Sequence, residues 1–303
     1  MTRRIRTDLH GVLLVDKPAG MTSNRVLQTL KNHLNARKAG HTGALDPLAT
    51  GVLPICFGEA TKFSQFLLEA DKAYETRAAL GARTDTADAD GSVTERAAIP
   101  ELTDAQVSQL LTERFTGEVE QVPPRYSALK HNGQPLYKLA REGKPVPVKR
   151  RQVRLYESRL LARGSDWLDL FLHCSKGTYV RSFVEDLAVG LGTLAHVSRL
   201  RRVQHGRFTL DNCQPLDELL ALSPEALQQR LLPVDTCISE LPECVLNAEQ
   251  YSRVRHGNPV VTDADLPPGP VRIRCGEHFL GLGDISSDGV LKSRRLVRSD
   301  LLE

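Results

Sequence analysis

The densest concentration of groups able to do chemistry is the stretch Gly40–Gly51, GHTGALDPLATG. It sets an imidazole, His41, and a carboxylate, Asp46, close together in a loop of glycines, a proline and small residues. An aspartate in such a loop either accepts hydrogen bonds within its own turn or is offered to a substrate as an anion, a nucleophile or a base.

Other constellations exclude more than they propose. The acidic run Asp85, Asp88, Asp90, Gly91 suggests calcium, but with Gly91 at EF-hand position 6, Thr86 falls at position 1 and Ala97 at position 12, where acidic ligands are needed. The run is expected to be a turn whose Asp side chains hold local backbone. Six cysteines (Cys56, Cys174, Cys213, Cys237, Cys244, Cys275) are scattered, with no Cys-x-x-Cys pair and no Cys/His grouping at zinc spacing. Free, mostly buried thiols and no metal centre are expected. His-x-x-Glu-His, Glu-x-x-His, Gly-x-Gly-x-x-Gly and Gly-x-x-x-x-Gly-Lys are all absent. The remaining reading is chemistry done by side chains alone, without a cofactor.

The elements that must position Asp46 follow from periodicity. Gly11–Asp16 (GVLLVD) reads as a buried strand ended by the turn Lys17-Pro18-Ala19-Gly20. Thr22 or Ser23 then caps a helix with Val26, Leu27, Leu30 and Leu34 on one face. Glu59–Ala70 is a second helical candidate, and Ala73–Leu80 a strand before the polar turn TDTADADG. Thr103 and Gln106 form a capping box for a helix to about Phe115, its buried stripe Val107, Leu110, Leu111 and Phe115. From Val119 to Pro147 the pattern breaks up around prolines 123, 124, 135, 145 and 147 and a short helix-like PLYKLARE, as a functional insertion does. Strands resume at Gln152–Leu161 and Trp167–Cys174, where Leu168, Leu170 and Leu172 alternate with Asp169, Phe171 and His173. A helix beginning near Thr178 buries Val180, Phe183, Val184, Leu187 and Leu191 and carries Arg181 in its first turn. A cation at that end opposes the helix dipole, so an anion beside it is expected. After Pro233 short alternating runs such as VRIRC and FLGLG mark a small β-rich domain from about residue 241.

Composition sets the class. The 303 residues, 41% hydrophobic and 25% charged, suit a globular chain of two domains, or of one large domain with an appendage. No apolar run approaches the about 18–20 residues that cross a bilayer, and the basic start (Arg3, Arg4, Arg6) lacks a following apolar region, so no membrane association and a cytoplasmic location are expected. Net charge is only +3, from 40 basic and 37 acidic side chains. Basic residues nevertheless cluster at Lys149, Arg150, Arg151 and Arg154, at Arg199, Arg201, Arg202 and Arg207, and at Lys292, Arg294, Arg295 and Arg298, in sets able to neutralise a phosphate backbone.

These residues carry a resemblance. VDKPAGMTS (Val15–Ser23), GHTGALDPLATGVLPICFGEATKFSQ (Gly40–Gln65), DKAYE (Asp71–Glu75), RTDTADADG (Arg83–Gly91), VPPRYSALK (Val122–Lys130), YKLAREG (Tyr137–Gly143) and CSKGTYVRS (Cys174–Ser182) occur in the order found in the bacterial tRNA pseudouridine-55 synthases of the TruB type, which the chain therefore resembles over most of its first 200 residues. The likeness weakens after about residue 210, where only HGNPV (His256–Val260) is similar, and Glu185 stands where Asp is commoner.

The resemblance implies an α/β (α+β) catalytic domain around a central, mixed and largely antiparallel sheet over 1–240, with an RNA-binding insertion at about 121–151 and a PUA-like domain over 241–303. It implies isomerisation of uridine 55 in the T-arm of tRNA to pseudouridine by base flipping, with no cofactor or metal. Asp46 is then the catalytic carboxylate, Tyr74 stacks on the base and helps remove its C5 proton, and Arg181 orients Asp46. His41 holds the extruded nucleotide, Tyr179 and Leu200 line its pocket, and Lys17 and Pro18 support that pocket. Arg125, Lys130, Lys138, Arg141, Lys144, Lys149 and Arg150 make the insertion a clamp on the T-arm that orders on RNA. A monomer without an obligate protein partner is expected. The alternatives are a guide-RNA-dependent pseudouridine synthase, an RNA-binding tRNA-folding chaperone, and an aspartate-dependent glycoside hydrolase, which needs a second carboxylate at a set separation.

Overall fold

The computed structural model describes residues 6–124, 126, 130–131, 134–135, 142, 149–262 and 265–298. Its framework is a ten-stranded sheet in the order Gln214–Pro215, Gly11–Lys17, Thr50–Phe57, Ala195–His205, Lys72–Leu80, Trp167–Cys174, Arg151–Arg163 and Gly117–Gln121, with Ala39–His41 on Thr50–Phe57 and Phe208–Thr209 on Ala195–His205. Neighbours are antiparallel except that Gly11–Lys17 runs parallel to Gln214–Pro215, and Thr50–Phe57 parallel to Ala195–His205. The expected mixed, largely antiparallel α/β sheet is what forms.

One glycine permits its central junction. Gly51 has a φ of 105° and sits opposite Arg202, where a Cβ would lie 2.1 Å from the Arg202 carbonyl oxygen. Only glycine allows those two strands to meet there.

Alternation decides the faces. On Trp167–Cys174, Leu168, Leu170 and Leu172 are buried while Trp167, Asp169, Phe171 and His173 are partly exposed, as period two requires. The buried face packs on two helices. Asp104–Arg114 carries the anticipated Thr103/Gln106 capping box and buries Val107 and Leu111. Val180–Gly190 buries Val180, Phe183, Val184 and Leu187, and the Phe115 and Phe183 rings meet edge to face at 5.3 Å. Thr22, not Ser23, caps the first helix, Ser23–His33, by accepting the Arg25 N–H. The single helix expected over Glu59–Ala70 is instead a short turn, Gly58–Lys62, followed by a helix, Ser64–Glu69. They break at Phe63, whose backbone leaves helical values and whose ring is fully buried.

The C-terminal strands form a separate five-stranded sheet, Glu243–Val245, Gly269–Cys275, His278–Ile285, Val290–Leu296 and Val260–Val261, with its own core around Val254, Val271, Ile273 and Leu291. It is tied to the larger sheet. Phe279 packs edge-on against Phe63 at 5.4 Å, the Lys62 ammonium donates to the Leu296 carbonyl at 3.0 Å, and the Arg298 N–H donates to Glu59 at 2.9 Å. The Arg298 guanidinium also reaches Asp8 at 2.6 Å.

Of the expected clamp, Arg125, Lys138, Arg141, Lys144 and most of PLYKLARE lie outside the described residues, as does the Lys130 side chain. Lys130–His131 and Gln134–Pro135 pair as short antiparallel strands. No described helix is long and apolar enough to cross a membrane.

Candidate active site

The loop that carries Asp46 is held by its backbone. Ser23 Oγ accepts the Leu45 N–H at 2.8 Å and donates to the Leu45 carbonyl at 3.2 Å. Gly20 N–H donates to the Pro47 carbonyl at 2.8 Å, and Arg202 donates to the Gly43 carbonyl at 3.2 Å. Lys17 is wholly buried, and its ammonium donates to the carbonyls of Pro18 (2.8 Å), Pro47 (3.3 Å) and Ala49 (2.6 Å). All three of its donors are spent on backbone carbonyls around the loop. Burial pushes its ammonium down to about 8.

Asp46 lies on one wall of a cleft of about 270 Å³ that crosses the middle of the sheet. Tyr74 and Lys72 from one central strand and Leu200 and Arg202 from its neighbour line it, facing Tyr179 and Arg181 at the start of the Val180–Gly190 helix. Arg181 grips Asp46 with two nitrogens, Nε to Oδ2 at 3.0 Å and Nη2 to Oδ1 at 3.1 Å. Its remaining donors go to the carbonyls of Thr86 (2.8 Å) and Tyr126 (2.9 Å), and Asp88 approaches it at 3.5 Å. The anion required beside a first-turn arginine is present twice, as Asp46 and Asp88. Gln121 fixes that helix end, accepting the Tyr179 N–H at 3.0 Å and donating to the Tyr179 carbonyl at 3.3 Å.

The Arg181 side chain is 5% exposed and that of Asp46 35% exposed, so the carboxylate reaches the cleft while its partner stays fixed. Burial raises the Asp46 carboxyl above its ordinary value. Arg181 opposes this most strongly, Asp88 and Asp90 add to it, and Lys17 opposes. Tyr74 is almost fully buried, and burial lifts its phenol while the Arg202 guanidinium, which hydrogen-bonds it, pulls the other way. His41 stands outside the cleft lining, on the short strand paired to Thr50–Phe57. Burial and Arg202 lower its pKa, and its Nδ1 has no hydrogen-bond partner among the described residues. Asp46, Tyr74, Tyr179, Arg181 and Leu200 thus converge on one cleft, whose lining does not include His41 or Lys17.

Sequence reasoning missed Asp88, Arg202 and Lys72. The Arg199, Arg201, Arg202 and Arg207 set does not form one continuous free face, although Arg199 and Arg207 are exposed. Arg202 is 1% exposed and donates to the Val52 carbonyl, Arg201 is paired with Asp16 at 2.6 Å, and Arg199 with Asp169 at 3.3 Å. Of the third set, Arg294 is paired with Asp284 and Arg298 with Asp8. The acidic run forms the expected turn, with Asp85 accepting the Ser92 N–H and Asp88 that of Asp90, yet Asp88 also faces Arg181. No group of three or more His, Cys, Asp or Glu side chains that could hold a metal occurs among the described residues.

A mixed sheet is thus crossed by a cleft in which a loop aspartate is held by a buried arginine and which a tyrosine lines. Two solved structures share the fold, one described as an H/ACA RNP bound to a substrate RNA containing 2'-deoxyuridine (TM-score 0.71, 23% identity, covering 95% of this chain and 84% of that one). The other is a Cbf5-Nop10-Gar1 complex (TM-score 0.72, 25% identity, covering 95% and 84%). Residues 31–180 match the model of the TruB family pseudouridylate synthase (N terminal domain), 181–239 that of the tRNA pseudouridylate synthase B C-terminal domain, and 242–297 that of Pseudouridine synthase II TruB, C-terminal. The tRNA pseudouridine synthase B of Stutzerimonas stutzeri is 49% identical over 98% of this chain and 99% of its own, and that of Aeromonas salmonicida 45% identical over 98% of each. The chain belongs to the TruB family of pseudouridine synthases.

Proposed function

We propose that the chain isomerises uridine 55 in the T-arm of tRNA to pseudouridine, with Asp46 as the carboxylate that starts the reaction. The observation that carries the assignment is the two-point grip of Arg181 on Asp46 within a cleft lined by Tyr74. The reaction exchanges a nitrogen–carbon glycosidic bond for a carbon–carbon bond. It is redox-neutral and consumes no water, so its needs are an ionised carboxylate and a closed pocket that keeps the detached uracil while it turns to offer C5. Arg181 holds Asp46 charged and oriented. Tyr74 supplies an aromatic face for the extruded base and an oxygen near C5, Tyr179 and Leu200 close the walls, and His41 holds the nucleotide in its extruded position.

Extrusion of a stacked base costs a few kcal/mol, offset by phosphate contacts and by the shape of the T-arm. Residues 1–240 are the catalytic domain in this reading, about 121–151 the RNA clamp, and 241–303 a PUA-like RNA-binding domain. The enzyme acts as a cytoplasmic monomer without guide RNA or protein partner. The near full-length identity to proteins named tRNA pseudouridine synthase B favours this over a guided enzyme.

The test is release of tritium from C5-labelled uridine in a tRNA transcript, since forming the new carbon–carbon bond displaces that hydrogen. Asp46→Asn keeps volume and hydrogen bonding but not charge, so it is expected to bind tRNA and release no tritium. Substantial turnover by the folded variant, with deamidation excluded by mass spectrometry, refutes the assignment.

A further inference from the structure

Lys72 is a cleft cation with no assigned task. It is 7% exposed, lies on the strand that carries Tyr74 and shares its face, and lines the same cleft. Two of its three ammonium protons go to backbone carbonyls, of Leu68 at 2.9 Å and of Ala70. Among the described residues no carboxylate lies within ion-pair distance; Asp71, the next residue, accepts from the Tyr156 hydroxyl instead.

The other two cations of the cleft are committed. Arg181 is spent on Asp46, Asp88 and two carbonyls, and Arg202 on Tyr74 and the carbonyls of Val52 and Gly43. A nearly buried ammonium with a spare donor and no counter-ion is costly unless the ligand brings the anion.

Its place along the sheet is also informative. Asp88, on the Arg181 side of the cleft, bridges to Val197, which pairs with Ala78, whereas Lys72 pairs with His205. Tyr74 lies between these two positions along the strand, and Lys72 and Asp46 line the same cleft.

We infer that Lys72 donates to an anionic oxygen of the target nucleotide, held in the cleft that Asp46 also lines. Two oxygens of the substrate have that chemistry: a phosphate oxygen beside the extruded uridine, and a uracil carbonyl oxygen, which takes up negative charge as the glycosidic bond breaks. The inference rests on the reading that this cleft receives the uridine.

The groups facing Lys72 allow its titration to be followed. Burial holds its ammonium down at about 8. On the adjacent strands, His205 is pushed well below its ordinary value and Cys174 up to about 12, while Arg202 and Lys176 are the nearby cations and Asp71 the nearby anion. Lys17 is also held at about 8. Ligand binding or chemistry that needs charged Lys72 is lost as pH rises through about 8, and this alkaline limb must vanish in a Lys72 variant.

The test uses the full chain and tRNA transcripts. Lys72→Met keeps the aliphatic stem and is expected to lower kcat/KM about ten- to a hundredfold and to remove the alkaline limb, with partial recovery in Lys72→Arg. Each variant is then assayed on transcripts with a methylphosphonate on either side of the target uridine, and with 2-thio- or 4-thiouridine at the target. Loss that is non-additive with a methylphosphonate places Lys72 on that phosphate, and loss non-additive with a thio-base places it on the uracil. A penalty additive with every modification, with the limb intact, overturns the inference and leaves Lys72 as a brace for the Leu68 and Ala70 carbonyls. Because the comparison is between Lys72 variants on modified substrates, its failure is distinguishable from an active Asp46→Asn, which would refute the assigned chemistry itself.

Discussion

Replacing Arg181 with methionine removes the two bonds that hold Asp46 and leaves Asp46 and Asp88 facing each other without their shared cation. At the observed 3.0 Å separation, an effective dielectric of about 20 gives about 5–6 kcal/mol of attraction. Asp46 is about one-third exposed, so solvent screening reduces the useful part to about 2–3 kcal/mol. If this stabilises the reactive, ionised carboxylate, the single-turnover rate at neutral pH falls about 30- to 150-fold. The sign with pH follows from the same pair. Burial raises the Asp46 carboxyl and Arg181 lowers it, so removing Arg181 raises it further, and activity that needs the carboxylate is lost at a higher pH on the acid side. Single-turnover tritium release with saturating enzyme, from pH 5 to 8, measures both effects without confusing lost binding with lost chemistry. The double variant with Asp46→Asn is expected to be little worse than Asp46→Asn alone, because the two groups act as a unit. A rate within about twofold of the parent, with an unmoved acid limb in a folded protein, refutes this account.

Neutralising Lys149, Arg150 and Arg151 together is expected to weaken tRNA binding and flatten its salt dependence by about one to two phosphate equivalents, since Arg150 is already paired with Glu120 and Arg151 bonds the Gly177 carbonyl; an unaltered slope removes these residues from the clamp. Truncation after residue 240 strips Phe279 from Phe63 and the Asp235 partners Arg272 and Arg274, so the remainder is expected to fold and modify tRNA with poorer binding and a midpoint lower by about 5–10 °C. An unchanged midpoint contradicts the docking, and failure to fold contradicts the boundary. Lys17 is depressed from 10.5 to about 8, so above about 8 the unfolded chain holds a proton that the native chain has released. Its contribution makes stability rise with pH across that window, by at most about 1.4 kcal/mol per pH unit, and because Lys72 adds a like term, Lys17→Met is expected to reduce the slope of chemical-denaturation free energies with pH by about half rather than abolish it.

The cleft was legible to the extent that its residues lie in ordered motifs. Asp46, Tyr74, Tyr179, Arg181 and Leu200 were named from sequence and meet at one cleft. Arg202 could have been found. Leu200 was placed inward, and on a strand with period two Arg202 then points the same way, yet proximity to Arg199 and Arg201 led it to be grouped with phosphate-facing arginines. Asp88 carries no such signal, because its turn-holding role is local whereas its approach to Arg181 joins residues far apart in the chain. The split of Glu59–Ala70 at Phe63 was hidden for a similar reason: Phe63 packs on Phe279 of the C-terminal sheet, far away in sequence. Lys17 shows the converse. Its motif was recognised, but only the fold reveals which three carbonyls, those of Pro18, Pro47 and Ala49, its ammonium ties together.

The order of strands in the large sheet bears on how the molecule comes into being on the ribosome. Ala195–His205 lies between Thr50–Phe57 and Lys72–Leu80, which precede it by more than a hundred residues and do not pair with each other in that sheet. A nascent chain that has not yet extruded residue 205 holds two half-sheets with facing unpaired edges, and such edges invite association with other chains. Closing the gap requires long-range parallel and antiparallel pairing at once, a slow step in a non-local topology. The same strand brings Leu200 and Arg202 to the cleft. Catalytic competence and protection from aggregation therefore arrive together, late in synthesis, with the insertion of a single strand.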